Sequence, residues 1–447
     1  MLYVVGVPSY KGAFGEEQAT RLLWRAGFGP KPGQATELAE LGLQGAIRSL
    51  TRPKSTRLLG PNPAVDGAPL APRDAWGHDH LWWLDRMVRT EAPLVERMTL
   101  IWHDWFATSK SGVPQKLMLR QNALLRRHAL GNFERLTLDI TKDPAMLLWL
   151  NGTDNHVYSA NENYARELQE LFCLGAGRGY TEQDVRELAR ALTGFANDWT
   201  DSGPTRFRYV KKLHDAKPKK IYGKRGKFTW QEGVKLVTRH RRHPEFLVTK
   251  LWGAFIPTKP SAATVKGLIK LYVKHDRDVR PLVEAILAHP DLYDPRRRMV
   301  KPPVVQAAGM LRAVGRGIDS GAWAWLCEIA GQYLFLPPNV SGWDDSRWLD
   351  TATFRARWMM AQHICEPARL EPDKGATAPL DAGELVRQAV TFWGDPTLSG
   401  PVRAGLERYA ADTLATADEP WKKKTYPVLA VNALRMLVAT SPDYLTS

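Results

Sequence analysis

The stretch 161–175, NENYARELQELFCLG, sets Glu162, Arg166, Glu167 and Glu170 close together along the chain. Carboxylates held near one another raise each other's proton affinity, so one can act as acid and another as base, and an arginine beside them can hold an anionic group. The same residues have a plainer reading. Glu162, Arg166 and Glu170 follow at i, i+4 and i+8, and a row of that spacing on a wetted helix is worth only about 0.3–0.5 kcal/mol per pair. The residues alone leave both readings open. Asn161 and Asn163 flank the group as candidate ligand contacts, and His103, His214 and Asp215 could complete a pocket. A lone histidine is more often a satisfied structural group than a ligand. His214-Asp215, however, falls in the turn of an expected hairpin, where functional groups are commonly carried. Asn339 and Trp343, in LPPNVSGW, stand in a proline-rich loop that reads first as turn chemistry and second as ligand contact.

Other chemistries lose support. Facing helices of a bundle could supply carboxylates and imidazoles to a divalent metal, but the Glu-x-x-His pattern of di-iron bundles is absent, so no metal ligand is assigned. The sequence names no cofactor. G-x-S-x-G, Walker A, G-x-G-x-x-G and H-E-x-x-H are also absent, which argues against nucleophilic hydrolysis, nucleotide hydrolysis and standard zinc-protease chemistry.

The elements that must position these residues are mainly helices. In 93–107, Leu94, Val95, Met98, Ile101, Trp102, Trp105 and Phe106 form one apolar arc, which predicts a largely buried helix with His103 off the arc. Segments 115–130 and 133–140 continue the pattern, and Asp143 before Pro144 reads as an N-cap before an N1 proline. HPEF at 243–246, HPDLY at 289–293 and SPDYL at 441–445 repeat that start signal. For 161–175, Ser159 followed by Glu162 predicts a capping box, and Gly175 a stop. Tyr164, Ala165, Leu168, Leu171 and Phe172 then face inward, and Gln169 joins the charged face. Thr181 and Asp184 cap a second helix, with Val185, Leu188, Ala189 and Leu192 inward, so the two predict a helical hairpin. Inside that pair the four charges are expected to turn into a polar cleft. TRFRYV, KKIYG and KFTW predict one small β-hairpin at about 205–230.

These blocks carry a resemblance. DPAMLLWLN, NENYARELQELFCLG, YTEQDVRELARALTGF, HPEFLVTKLWGAFI, VKPPVVQAAGMLRAVG and LPPNVSGWDD stand in the order of the bacterial family called domain of unknown function 1800. RLLWRAGFGPKPGQ near the start and LVATSPDYL near the end are also similar to it. The resemblance implies a helical protein whose relatives are often exported and often encoded beside a sulfatase-like family, domain of unknown function 1501. That neighbour is an implied partner. The chain departs from the pattern in lacking a visible export signal. It also has Ala160 where relatives commonly have proline, and WHDWFATS at 102–109 where they tend to read WHNHF. Trp105 thus replaces a histidine, which argues against a His-His metal pair here.

Composition sets the outer limits. The chain has 447 residues, 44% hydrophobic and 24% charged, with 17 Trp, which fits a globular protein with a bulky core. No apolar run is long enough for a membrane helix, and MLYVVGVPSYKG shows no secretion signal, so the sequence as it stands reads as cytoplasmic. Cys173, Cys327 and Cys365 read as reduced thiols. The formal charge is +15. The run between Arg206 and Lys227 reads first as a solvated loop and second as a patch for an acidic polymer through Arg206, Arg208, Lys211, Lys212, Lys219 and Lys220. Nucleic acid ranks below other polyanions, because no DNA- or RNA-binding signature is present.

The sequence therefore predicts a mainly α-helical, single-lobed body over 15–365 with a small hairpin insert, a linker at 366–383 and a C-terminal helical segment, 384–447, packed on the same body. Three functions stay in view. The first is a catalytic or ligand-binding pocket lined by the 161–170 helix. The second is a non-catalytic scaffold or partner-binding protein, and the third is polyanion binding through 206–227.

Overall fold

Side-chain caps fix many of the helix starts. Asp143 accepts from the amides of Ala145 and Met146 at 3.1 and 3.2 Å, with Pro144 next in line. Thr181 and Asp184 form the reciprocal capping box that their spacing predicts, opening Glu182–Ala191. Pro244 and Pro442 likewise stand in the first turns of His243–Gly253 and Pro442–Leu445. These devices satisfy helix-end amides locally, and the apolar stripes between them supply the packing.

The computed structural model describes residues 6–447, and the fold is mainly α. Among the described residues the β structure is three two-stranded antiparallel sheets, and no helix is long and apolar enough to cross a membrane. Backbone contacts group the chain into two compact units built from separated stretches. One takes Leu94–Leu292 and Phe335–Trp343 with the segment ending at Lys11; the other takes Gly12–Pro93, Tyr293–Leu334 and Asp344–Ser447. Residues 366–383 lie wholly inside the second unit, where Glu366–Ala368 and Pro372–Lys374 are short 3-10 turns.

In the first unit the core is aromatic. Trp102 lies 5.3 Å from Trp105 and 5.7 Å from Phe133, and Phe106 lies 5.0 Å from Phe172, ring centre to ring centre. The helix Pro93–Trp105 is more deeply sunk than its apolar arc predicts, because Thr99, His103 and Glu96 are buried as well. Glu96 is held there by the Arg126 guanidinium at 2.7 and 2.9 Å.

The expected single hairpin is two. Phe195–Thr200 pairs with Gly203–Tyr209 across a bulge, starting ten residues earlier than predicted, and Lys219–Ile221 pairs with Lys224–Gly226. FANDWT was missed because it follows directly on a helix and lacks a clean alternation of apolar residues. KFTW is not a strand: Thr229 and Glu232 form a capping box that opens the helix Trp230–Thr238.

The second unit is organised by Pro303–Ala313, buried from Pro303 through Arg312. The Arg312 guanidinium donates to the carbonyls of Gly29 and Val88 at 2.9 and 3.0 Å and to the Gln34 side chain at 2.8 Å, so it fastens three other stretches to this helix. Burial lowers its pKa to about 10, which leaves it charged at neutral pH. Gly309 is where the helix meets Trp24, and a Cβ there would overlap the indole and approach the Phe28 carbonyl to 2.9 Å. Gly309→Ala should therefore lower stability by about 1–3 kcal/mol despite alanine's better helix propensity. A denaturant midpoint equal to or above that of wild type would show that the contact relaxes freely.

Candidate functional site

The segment 161–175 is not one α-helix. Asn163–Glu167 is α-helical, and Leu168–Leu174 winds on as a π-helix, a rare form that recurs at functional sites. The Ser159–Glu162 capping box does not form; Asn161 accepts from the Asn163 amide at 3.0 Å instead. The wider turn breaks the 100° period on which the predicted faces rest. Gln169, assigned to the polar face, is fully buried, and Leu171, assigned to the core, is half-buried.

Three successive π-helix carbonyls accept from side chains of other helices. Lys250 donates to Leu171 at 3.2 Å, the Trp105 indole to Phe172 at 2.9 Å, and His243 Nδ1 to Cys173 at 3.0 Å. Since a carbonyl can only accept, His243 carries its proton on Nδ1, and Nε2 accepts from the Tyr272 hydroxyl at 2.9 Å. The Lys250 ammonium also lies 4.3 Å from the centre of the Trp105 ring. Trp105 thus supplies an indole N–H to the backbone of the π-helix.

The charged face looks outward. Arg166 makes a two-pronged pair with Glu182 at 2.8 and 2.7 Å and a longer bond to Glu162 at 3.2 Å, and its side chain is 35% exposed. Its guanidinium pKa is raised, chiefly by the hydrogen bonds to Glu182. The expected inward cleft is absent for this pair because Glu182, at the exposed start of the next helix, supplies the counter-charge at the surface. Glu167 and Glu170 are half-buried; burial first, and then Glu170, raises the Glu167 pKa. Asn163 donates to the Asn151 side chain at 3.0 Å.

The remaining candidates occupy separate settings. His103 is buried beside the rings of Phe335 and Trp343, 5.7 and 5.4 Å away, and burial lowers its pKa to about 3. Its neighbour Asp104 accepts from the Trp343 amide at 2.8 Å, and Gly342, at φ +91°, leaves no room for a Cβ beside that carboxylate. Asn339 performs turn chemistry, accepting from the Ser341 amide at 2.8 Å. His214 and Asp215 lie between the two hairpins, not at a hairpin turn. His214 Nδ1 is 3.1 Å from the Thr193 carbonyl, and Asp215 receives Arg190 at 2.7 Å.

The basic candidates divide. Arg206 and Arg208 share Asp198, at 3.6 and 2.9 Å. Lys211, Lys212 and Lys220 are exposed. Lys219, offered as a polyanion contact, is buried and donates to the carbonyls of Asp215 and Lys217, so it serves the fold.

A cleft of about 480 Å³ opens between the second hairpin and Trp230–Thr238, lined by Tyr222, Lys224, Phe228, Glu232, Lys235, Leu236, Arg239, His240 and Arg241. Arg239 is held by Glu134 at 2.7 Å through two nitrogens, and Glu232 is engaged by the Thr229 amide at 2.8 Å. Lys224, Lys235 and Arg241 are exposed and make no ion pair among the described residues. The His240 pKa is lowered, by burial first and then by Arg241. In the sequence this cleft is marked by the charge density of the run RHRRH at 239–243, which lies outside the basic stretch 206–227.

Tyr222 ties this cleft to the π-helix. Tyr222 and Gly223 both have positive φ, +48° and +77°, forming the two-residue turn that suits a hairpin. A tyrosine in that region is strained and must be held by its surroundings. Its amide donates to Asp184 and its hydroxyl to Gln169, both at 2.7 Å, and its ring lies 4.7 Å from His240.

A family model described as Protein of unknown function (DUF1800) matches residues 21–446. No curated protein and no solved structure matches the chain.

Trp105→Phe keeps the ring but strands the buried Phe172 carbonyl, and should cost about 1–3 kcal/mol of stability by denaturant titration. An unchanged midpoint would mean that water reaches that carbonyl. A second expectation concerns pH. Burial lowers the His243 pKa to about 4. The unfolded chain therefore binds this proton first, and the stability present above pH ~6.5 is lost as pH falls toward ~4. At about 1.4 kcal/mol per unit, the loss reaches roughly 3 kcal/mol. Asp143, raised to about 6 by burial, works in the opposite direction over the same range. The quantity to compare is thus the slope of stability against pH in wild type and in His243→Gln, with the steeper rise expected in wild type; equal slopes would remove His243 as the cause.

Proposed function

The chain belongs to the family described as Protein of unknown function (DUF1800), whose description assigns no activity, and we propose that this protein binds an oligoanionic chain in the cleft between its second hairpin and the helix Trp230–Thr238. The observation that carries the proposal is the cleft's charge. Lys224 from the hairpin and Lys235 and Arg241 from the other side make no ion pair among the described residues, while the acid present, Glu232, is engaged in a helix cap. Cations left unpaired around a concave surface attract anionic groups, and arginine offers a planar fork for sulfate, phosphate or carboxylate. Tyr222 and Phe228 add apolar ring surface on which the body of such a ligand can rest.

This reading gives the 161–175 segment a positioning part. Its Gln169 anchors Tyr222, and Tyr222 shapes the cleft wall. The charged side of that segment pairs with Glu182 and is not needed for binding.

The test uses a fluorescent sulfated oligosaccharide and a single-stranded oligonucleotide as probes across a salt series. Binding should weaken as salt rises, and Lys235→Glu or Arg241→Glu should each lower the logarithmic salt slope by about one or more. Lys374→Glu, remote in the chain, is the control. Salt-independent binding, as expected of a packed protein interface, or equal affinity in all variants would sink the proposal.

A further inference from the structure

His240 is the one imidazole among the residues lining the basic cleft, and it stands beside the unpaired Arg241. The sequence there is Arg239-His240-Arg241-Arg242, so a half-buried ring is set among cations. Its seat is defined on two sides. The Tyr222 ring of the second hairpin lies 4.7 Å away, and at Gly179, with φ +79°, a Cβ would come within 2.8 Å of the imidazole Cε1. Nδ1 accepts from the Arg242 amide at 3.3 Å, which places the proton of the neutral ring on Nε2. The surrounding charges come from several elements. Its own segment supplies Arg241, Arg242, which lies 3.6 Å from Glu245, and His243, whose pKa burial lowers to about 4. The start of Glu182–Ala191 supplies Asp184, engaged by the amides of Tyr222 and Thr181. The hairpin adds Lys224 and Tyr222, whose hydroxyl pKa burial raises; Trp230–Thr238 adds Lys235 and Glu232, whose pKa the Thr229 hydrogen bonds lower. For His240 itself, burial and then Arg241 work against the charged ring, and Asp184 works for it.

Resting on the cleft reading above, we propose that His240 is a further ligand-binding residue, a cation that forms as the oligoanion enters, so that binding takes up a proton. The empty cleft disfavours a charged ring, which would be partly desolvated and next to Arg241. An anion laid across Arg241 and Lys235 offsets that repulsion and brings an opposite charge to the ring. Protonation gives up only the long bond from the Arg242 amide, and it leaves both ring nitrogens as donors. Linkage then sets the direction. A ligand that favours the imidazolium raises the pKa of His240, and low pH in turn favours the ligand. The free protein titrates this ring below ~6.5 and the complex titrates it higher, so between those two values affinity falls as pH rises, by up to about tenfold per unit. Outside that window it is flat. Between pH ~5 and ~8 Glu232 stays charged while Tyr222 and His243 stay neutral, which leaves His240 as the group in this setting that changes.

Isothermal titration calorimetry of the full chain tests this with a sulfated oligosaccharide, whose ester sulfates keep their charge throughout. It is run at constant ionic strength from pH ~5 to ~8, in buffers of different ionisation enthalpy. Wild type should bind about tenfold or more tightly at the acid end than at the alkaline end, and should take up a fraction of one proton, largest midway through the fall in affinity. His240→Gln should abolish the proton uptake, flatten the pH dependence and bind more weakly than wild type at the acid end. Arg241→Gln keeps the imidazole and removes a repelling charge, so it serves even where His240→Gln does not fold: the lower edge of its pH window should move upward. The outcomes separate the two readings. No binding, or binding that Lys235→Glu does not weaken, overturns the cleft and this inference with it. Binding that Lys235→Glu weakens but that is flat in pH and takes up no proton overturns the role of His240 alone, as does proton uptake that persists in His240→Gln or an unmoved edge in Arg241→Gln.

Discussion

A π-helix cannot satisfy its last carbonyls by the usual ladder, and those of Leu171, Phe172 and Cys173 are met by Lys250, Trp105 and His243. A buried carbonyl without a donor costs as much as a lost hydrogen bond, so this requirement reaches into two other helices. It fixes the rotation of Pro93–Trp105, because the indole must point at Phe172, and that of His243–Gly253, because two of its side chains must reach the same segment. The tautomer of His243 follows, and with it the orientation of the Tyr272 hydroxyl. The aromatic core of the first unit is packed around this polar seam.

The seam also bears on the cleft. Once the turn widens, Gln169 swings into the interior and needs partners of its own. It donates to the Ala165 carbonyl at 2.9 Å and accepts from Tyr222. Tyr222 sits in a backbone region that bulky residues avoid, at a cost of order 1–2 kcal/mol. Its hydrogen bonds to Gln169 and Asp184 and its contact with His240 offset that strain. An irregularity in one helix thereby fixes the conformation of a hairpin turn far along the chain, and the hairpin in turn supplies one wall of the basic cleft.

Much of this fold is legible in the sequence because its signals are local. Asp143-Pro144, Thr181 with Asp184, and the X-Pro starts at 243, 289 and 441 place helix starts without any knowledge of the tertiary structure. The family resemblance rests on ordered blocks of the same kind and agrees with the match over 21–446. What escaped the reading depends on non-local partners. Nothing within NENYARELQELFCLG announces that Trp105, His243 and Lys250 will draw its carbonyls outward, so the helical period misplaced Gln169 and Leu171. Glu182 lies outside the motif whose Arg166 it pairs with. Lys219 is indistinguishable in sequence from its exposed neighbours, and only folding shows that it is consumed by two backbone carbonyls. One miss had a readable signal: the Thr229–Glu232 capping box could have displaced the strand assigned to KFTW.

Two of the three thiols have a use that follows from their burial alone. All are free, and each unit contains one that is fully buried: Cys173 within the π-helix of the first, and Cys327 within Ala322–Ile329 of the second. Burial raises the pKa of both well above the ordinary thiol value, so the folded form offers almost no thiolate to an alkylating reagent. Modification then has to wait for the surrounding structure to open, and its rate measures the free energy of that opening. The chain thus carries a built-in reporter in each unit, and the one in the first is embedded in the irregular helix on which the seam and the cleft depend.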